Sequence, residues 1–299
     1  MNSVFSQDEL AVIRRAYAKQ ILTLSGIADD PKLEEALALV ARERFLGAAP
    51  WLMSRGASSY QPVASHDPAV LYQDALFALT SDKGVNNGSP SLHARCLHAL
   101  SLRAGERVAH IGAGTGYYTA LLAHLVGAQG HVLAVEYDPV LAERARENLA
   151  DLSNVTVVRG DGAEWPREDV DAGYLNFAVE RPAEAWIDHL RLNGRLIFPL
   201  GVSRPKPSPG GGTHSLYGAG LCVTRKRAGL AVRWLGHVSF VCAEGLLSQP
   251  GEDRQALQAA FESVGMEFVR SLVWRESAPP GRCCFTGSGW ALSYDAVPD

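Results

Sequence analysis

Three short stretches carry residue types able to hold a charged ligand. The first is Ile111-Gly112-Ala113-Gly114-Thr115-Gly116, with an apolar run at 107–111 before it and a helical pattern at 117–126 after it. Glycines in such a bend permit positive φ and let a ligand approach the backbone closely. The helix that follows opens with unpaired N–H groups, which suit a negatively charged end. The second is Glu136, which closes the next apolar run and lies 136 − 112 = 24 residues after Gly112. A carboxylate at that spacing accepts both hydroxyls of a ribose. The third is Gly160-Asp161-Gly162, reached from the run 155–158, where an aspartate can meet an adenine amino group. Together they read as a nucleoside site rather than as a plain strand-to-helix turn.

Which nucleoside is decided by the glycine spacing. Dinucleotide loops read GxGxxG because a pyrophosphate must sit on the helix start. Here the spacing is GxGxG, with Tyr117-Tyr118 where the helix begins. That crowds out a pyrophosphate and favours the amino-acid tail of S-adenosylmethionine. A polar cluster, Asn86, Asn87, Gly88, Ser89 and His93, precedes the loop, with Asp74 further upstream. Asn87 or Ser89 can also cap a helix there.

The elements that must position these groups follow from periodicity. Residues 8–24 place Leu10, Ile13, Tyr17, Ile21 and Leu24 on one helical face, and Gly26 stops the run. Asp30-Pro31 opens a second helix with Leu33, Leu37 and Val40 inward. Residues 51–88, rich in Ser, Gly, Pro and Asn, read as a long functional loop region, and 92–102 is helical again. Strands are expected at 107–111, 132–136, 155–158, 172–177 and 195–200. Helices lie between them at 117–126, after Asp138-Pro139, and at 186–192. That alternation predicts an α/β fold with a parallel sheet wrapped on both faces. Beyond the Pro/Gly-rich SRPKPSPGGG, strands at 216–223 and 231–242, a helix at 255–264 and a strand-and-loop tail at 283–294 form an appendage. The domain expectation is 1–90 helical and loop, contributing to a substrate site, 91–203 cofactor-binding core, and 204–299 completing strands plus extension.

Composition narrows the partners. Lys plus Arg is 28 and Asp plus Glu 32, a formal charge of −4, which argues against a protein that lives by neutralising phosphates. No stretch reaches the roughly 18 unbroken apolar residues of a membrane span, and the N-terminus does not read as a signal peptide. Five cysteines without CxxC spacing suggest neither a disulfide framework nor a metal site, so a reducing cytoplasm is expected. The adjacent Cys283-Cys284 reads as two ordinary strand thiols.

Several segments carry a resemblance. RVAHIGAGTGYYTALLAHLVG, VEYDPVLAERARENL, VRGDGAEWP and LNGRLIFPLG resemble the protein-L-isoaspartate O-methyltransferase family. Upstream, QILTLSGIADDPKLEEALALVARERFLG, LYQDALF and NNGSPSLHARCLHAL are similar to its preceding segments, as is HVSFVCAEG to its closing sheet motif. The resemblance spans about residues 12–245. It implies a seven-stranded Rossmann-like methyltransferase sheet and S-adenosylmethionine as cofactor. By it, Gly112, Ala113, Gly114, Thr115 and Gly116 would pass around the methionine portion. Glu136 with Tyr137 would take the ribose, Asp161 with Gly162 would border the adenine, and Asn176 would lie near the sulfonium. Asp74, Asn86, Asn87 and Gly88 would face the acceptor, with Ser89 and His93 the candidates for catalytic roles.

Two departures stand out. The family carries an acidic residue just ahead of the glycine loop, where this chain has His110. The family also places a serine in a T-I-S-x-P type segment, where this chain has Gly88, with Ser89 one residue late. The remodelled loop near Ser81-Asp82-Lys83-Gly84 belongs to the same region. The expected reaction is methyl transfer to a carboxylate of a peptide, protein or small molecule. A tRNA base methyltransferase and a non-catalytic cofactor- or partner-binding homologue are the alternatives. Nothing in the sequence sets the oligomeric state.

Overall fold

The computed structural model describes residues 4–55, 59–80, 83–204, 213–249, 251–279 and 281–298. Ser81 and Asp82 of the remodelled loop, and 205–212 of the Pro/Gly-rich connection, lie outside the described residues. In chain order the elements are α1 (Gln7–Leu24), α2 (Pro31–Leu39), α3 (Glu43–Leu46), β1 (Leu52–Ser54), β2 (Tyr60–Pro62), β3 (Ala78–Thr80), β4 (Val85–Asn86) and α4 (Pro90–Leu100). Then come β5 (Arg107–Ile111), α5 (Tyr117–Val126), β6 (His131–Glu136), α6 (Pro139–Asn148), β7 (Val155–Arg159), β8 (Val170–Leu175), α7 (Glu184–Asp188) and β9 (Leu190–Ser203). The last are β10 (Ser215–Lys226), β11 (Gly229–His237), α8 (Arg254–Glu262), β12 (Ser271–Trp274), β13 (Cys283–Gly287) and β14 (Trp290–Ser293).

The chain divides into two compact units. One takes in the described residues of Met1–Glu106 and Ala113–Arg159. Its helices start where the sequence supplies caps. Ser6 and Glu9 form a capping box on α1, Asp30 caps α2 ahead of Pro31, and Asp138 accepts from the N–H of Val140 (2.8 Å) and Leu141 (3.1 Å) on α6. β6 and β7 pair in parallel from Val132↔Val155 to Glu136↔Arg159. The region expected as loop holds four short strands, β1 with β2 and β3 with β4, both antiparallel. Strands this short leave no period-2 signature. They are ordered by a buried cluster of Leu46, Trp51, Leu71 and Phe77, each side chain contributing about 1.5–3 kcal/mol by leaving water.

The other unit takes in Arg107–Gly112 and the described residues of Gly160–Lys206 and Thr213–Asp299. Its strands run in the order β13-β14-β12-β11-β10-β9-β8-β5. β5, β8 and β9 are parallel, and the rest are antiparallel. The helix expected over 186–192 is only α7, because Leu190 already pairs with Val170. Between that pair and Ala172↔Arg195 the strand bulges, with Asn193 at φ +63°. The C-terminal extension prolongs this unit's sheet by β12, β14 and β13. Asp253 fastens α8 to it by accepting from Ser288 N–H (2.9 Å) and Trp290 Nε1 (3.1 Å). Among the described residues, no helix is long and apolar enough to cross a membrane, and no group of three metal-ligating side chains occurs.

Candidate functional site

In the first unit the glycine bend is lashed down on three sides. Ala113 N–H donates to Val135 O (3.1 Å), holding the bend to β6. Thr115, fully buried, donates its hydroxyl to Phe45 O (2.7 Å), and Asn148 Nδ2 donates to Thr115 O (2.9 Å). Thr115 therefore anchors the loop with its side chain and offers none of it to a ligand. Gly114 and Gly116 have φ +58° and +98°. A Cβ at Gly116 would fall 2.7 Å from Leu149 Cδ1, so the position demands glycine twice over.

Glu136 is the acid the spacing singled out, and it reaches the loop. Its carboxylate accepts Gly114 N–H at 2.7 Å and Asp138 N–H at 3.0 Å. Only 8% of the residue is exposed. Burial pushes its pKa up to about 7, while the backbone hydrogen bonds pull the other way. Each oxygen keeps a further lone pair for a hydroxyl donor. Tyr137 beside it is 46% exposed. Tyr117 and Tyr118 are buried at the start of α5, where a pyrophosphate would have to sit.

The polar cluster ahead of the loop is internally committed. Asn86 donates to Tyr60 Oη (3.0 Å) and accepts Gly88 N–H (2.8 Å). Asn87 Oδ1 accepts Phe77 N–H (2.7 Å). Ser89 caps α4 by accepting Leu92 N–H (3.4 Å) and donates its own proton to Asp74 Oδ1 (3.0 Å). Asp74 also accepts the N–H (3.0 Å) and hydroxyl (2.5 Å) of Ser91. Ser89 and Asp74 are thus brought together. His93 is instead buried, stacked on Tyr118 with ring centroids 3.7 Å apart.

Gly88 and His93 fit each other. Gly88 has φ +71°, and a Cβ there would fall 2.6 Å from His93 Cδ2 and closer still to Nε2. The imidazole fills the space of the missing side chain. Gly88→Ser is therefore expected to destabilise the protein by about 1–3 kcal/mol through overpacking, with part of the loss recovered in the Gly88→Ser/His93→Ala double variant. Urea midpoints read this, and equal losses in the two variants would contradict the fit.

In the second unit, Gly112 has φ +79°, and a Cβ there would meet Phe177 Cδ1 at 2.7 Å. His110 is fully buried, stacked on Tyr174, with Nε2 2.7 Å from Asn176 Nδ2. Burial lowers its pKa to about 3, so it is neutral and carries no charge in place of the family's acid. Asn176 Oδ1 is buried with no hydrogen-bond partner among the described residues. Asp161 accepts Ala163 N–H (2.9 Å) and Leu246 N–H (2.8 Å), and a Cβ on Gly162 would press on Ile111 at 2.6 Å. The Leu246 contact and Phe177 have no signal in the linear sequence, because both act through tertiary contacts that residue spacing does not encode.

A glycine bend closed by a buried carboxylate at the end of the following strand is the arrangement that the sequence singles out as a candidate nucleoside site. The family model described as protein-L-isoaspartate(D-aspartate) O-methyltransferase matches residues 18–207. The chain belongs to that family. It is 36% identical over 133 residues to the protein-L-isoaspartate O-methyltransferase of Ignicoccus hospitalis, covering 43% of this chain and 62% of that protein. It is 36% identical over 193 residues to protein-L-isoaspartate O-methyltransferase 2 of an Anaeromyxobacter species, covering 63% and 70%. A solved protein-L-isoaspartate O-methyltransferase superposes with TM-score 0.62 and 25% identity over 78% of this chain and 67% of that one. A Plasmodium falciparum structure of the same description, in complex with S-adenosyl-L-homocysteine, gives TM-score 0.58 at 19% identity over 77% and 98%. The latter speaks to the fold, which is the α/β methyltransferase fold expected from the sequence.

Proposed function

We propose that this chain is an S-adenosylmethionine-dependent carboxyl methyltransferase, with a peptide or protein carboxylate of the isoaspartyl kind as its leading acceptor. The observation that carries the reading is the Glu136 carboxylate fixed 2.7 Å from Gly114 N–H, in a member of this family.

The residues present fit the cofactor. Glu136 retains lone pairs for ribose hydroxyls, and Tyr137 lies exposed beside it. The start of α5 is filled by buried tyrosines rather than opened for phosphate. In the second unit the contacts assigned to the cofactor are Gly112, Asp161, Gly162 and Asn176, whose orphaned Oδ1 supports the assignment. The cofactor when bound supplies an already activated methyl group on a sulfonium. A carboxylate nucleophile needs no base, so the chain's work is alignment and exclusion of water. This agrees with Ser89, whose proton is held by Asp74, and with His93, which is stacked and buried. Neither is arranged as a general base, and both position α4 and the Gly88 turn on the acceptor side.

The test is transfer of labelled methyl to a peptide containing isoaspartate, beside its aspartyl twin and a small dicarboxylic acid. Base-labile label on the isoaspartyl peptide is the expected result. Label confined to the small acid would move the acceptor to metabolites. Label on tRNA, or on nothing although the product S-adenosylhomocysteine binds, would overturn the carboxyl reading.

A further inference from the structure

Arg42 is the large cation of the first unit's interior, 1% exposed. Among the described residues it forms no ion pair with a carboxylate. Its Nη1 donates to Leu71 O (2.6 Å) and Gln73 O (2.8 Å), and its Nη2 lies 3.5 Å from Ala75 O. The guanidinium also lies over the rings of Tyr17 (5.4 Å), Phe77 (5.6 Å) and Tyr117 (5.7 Å).

Burying a charge without a counter-ion is unfavourable, and an apolar side chain of similar volume would fill the space more cheaply. What an apolar side chain cannot do is satisfy three backbone carbonyls at alternate positions. Residues 72–76 are neither helix nor strand; Gln73 O also accepts Ala75 N–H (2.9 Å), and the buried Leu71 carbonyl must find a donor. The two Nη groups of the planar guanidinium meet the three carbonyls at once, while Nε has no hydrogen-bond partner among the described residues. Tyr72 is tied in the same place by its hydroxyl to Glu43, and Phe77 by Asn87 (2.7 Å).

We propose that Arg42 is a positioning residue. It holds segment 71–77, and with it Asp74 and the first turn of α4, in register with Tyr117, the residue that follows the glycine bend. Asp74 sits between the two carbonyls that Arg42 holds at 73 and 75, and its carboxylate sets Ser89 and Ser91. The inference rests on the proposed function only in naming this side as the acceptor's.

The experiment compares wild type, Arg42→Met and Arg42→Lys in the full chain. Hydrogen exchange of 71–77, affinity for S-adenosylhomocysteine, and KM for the isoaspartyl peptide are each measured. In Arg42→Met, protection of 71–77 should fall roughly tenfold or more by local opening. Acceptor KM should rise by about tenfold, the equivalent of roughly 1.4 kcal/mol. Product affinity should stay within about threefold, under half that free energy. Arg42→Lys, which keeps the charge and three donors, should recover part of both changes. Wild-type protection and KM in a folded Arg42→Met would overturn the proposal. If Arg42→Met does not fold, a folded Arg42→Lys with wild-type protection and KM does so instead. Should the wild type bind no S-adenosylhomocysteine, the cofactor reading fails, while the exchange measurement still decides the role of Arg42.

Discussion

Replacing Glu136 by alanine is expected to weaken binding of S-adenosylhomocysteine by about 1–3 kcal/mol, roughly 5- to 150-fold, through lost charged hydrogen bonds. The carboxylate is held by Gly114 and Asp138 N–H groups at 2.7 and 3.0 Å, so a ligand finds it preorganised. Its pKa near 7 adds a pH signature. A ribose hydroxyl donates better to the ionised form, so affinity should rise as pH climbs through about 7 and then level off. Glu136→Gln should bind more weakly with that step removed.

The stability of the free protein should respond in the opposite sense. The proton is bound more tightly in the folded chain than at the ordinary value of 4.5. The Glu136 contribution is therefore present below about 4.5 and is lost as pH rises to about 7. Titration calorimetry and urea unfolding over that range read the two effects. A flat affinity profile in wild type would show that Glu136 does not meet the ligand.

Gly116→Ala is expected to carry the second large effect, about 2–5 kcal/mol of destabilisation. Roughly 1–2 of these come from an L-residue held at left-handed φ. About 1–3 come from overpacking, because the new methyl would sit 2.7 Å from Leu149 Cδ1. Leu149 is itself buried, and its Cγ and both Cδ atoms crowd this position, so relief requires that side chain to repack. The urea midpoint should fall with an unchanged denaturant slope, and product affinity should fall alongside. An unaltered midpoint would mean that the bend tolerates a side chain and that its glycines are not demanded by geometry.

Much of the fold was legible because local signals agreed with one another. The strand, glycine bend, helix and strand of 107–136 each carry their own pattern. Asp138-Pro139 caps α6 as read, and Glu136, expected to meet a ribose, closes β6 with its carboxylate accepting Gly114 N–H. Other features have no local signature. β4 is two residues long and β1 to β3 are three each, too short for alternation to register. Residues 190–192 read as the end of a helix because their apolar spacing is ambiguous, and only pairing with Val170 makes Leu190 a strand residue.

The candidate site divides along the same line. The loop and its acid were visible as a pattern within one strand–helix–strand run. The role of Gly88 was not, since it depends on an imidazole five residues away that fills the place of a side chain. Asp74, expected to face the acceptor, has its carboxylate hydrogen-bonded to Ser89 and Ser91, contacts that residue spacing does not encode. Arg42 carries no local signal, because its partners are backbone carbonyls about thirty residues on.

The most direct test is a crystal structure of this chain with S-adenosylhomocysteine bound. The ribose hydroxyls are expected within hydrogen-bonding distance of the Glu136 carboxylate, with the amino-acid tail along Gly112–Gly116. Product seated anywhere else, or a ribose that leaves Glu136 untouched, would contradict the account.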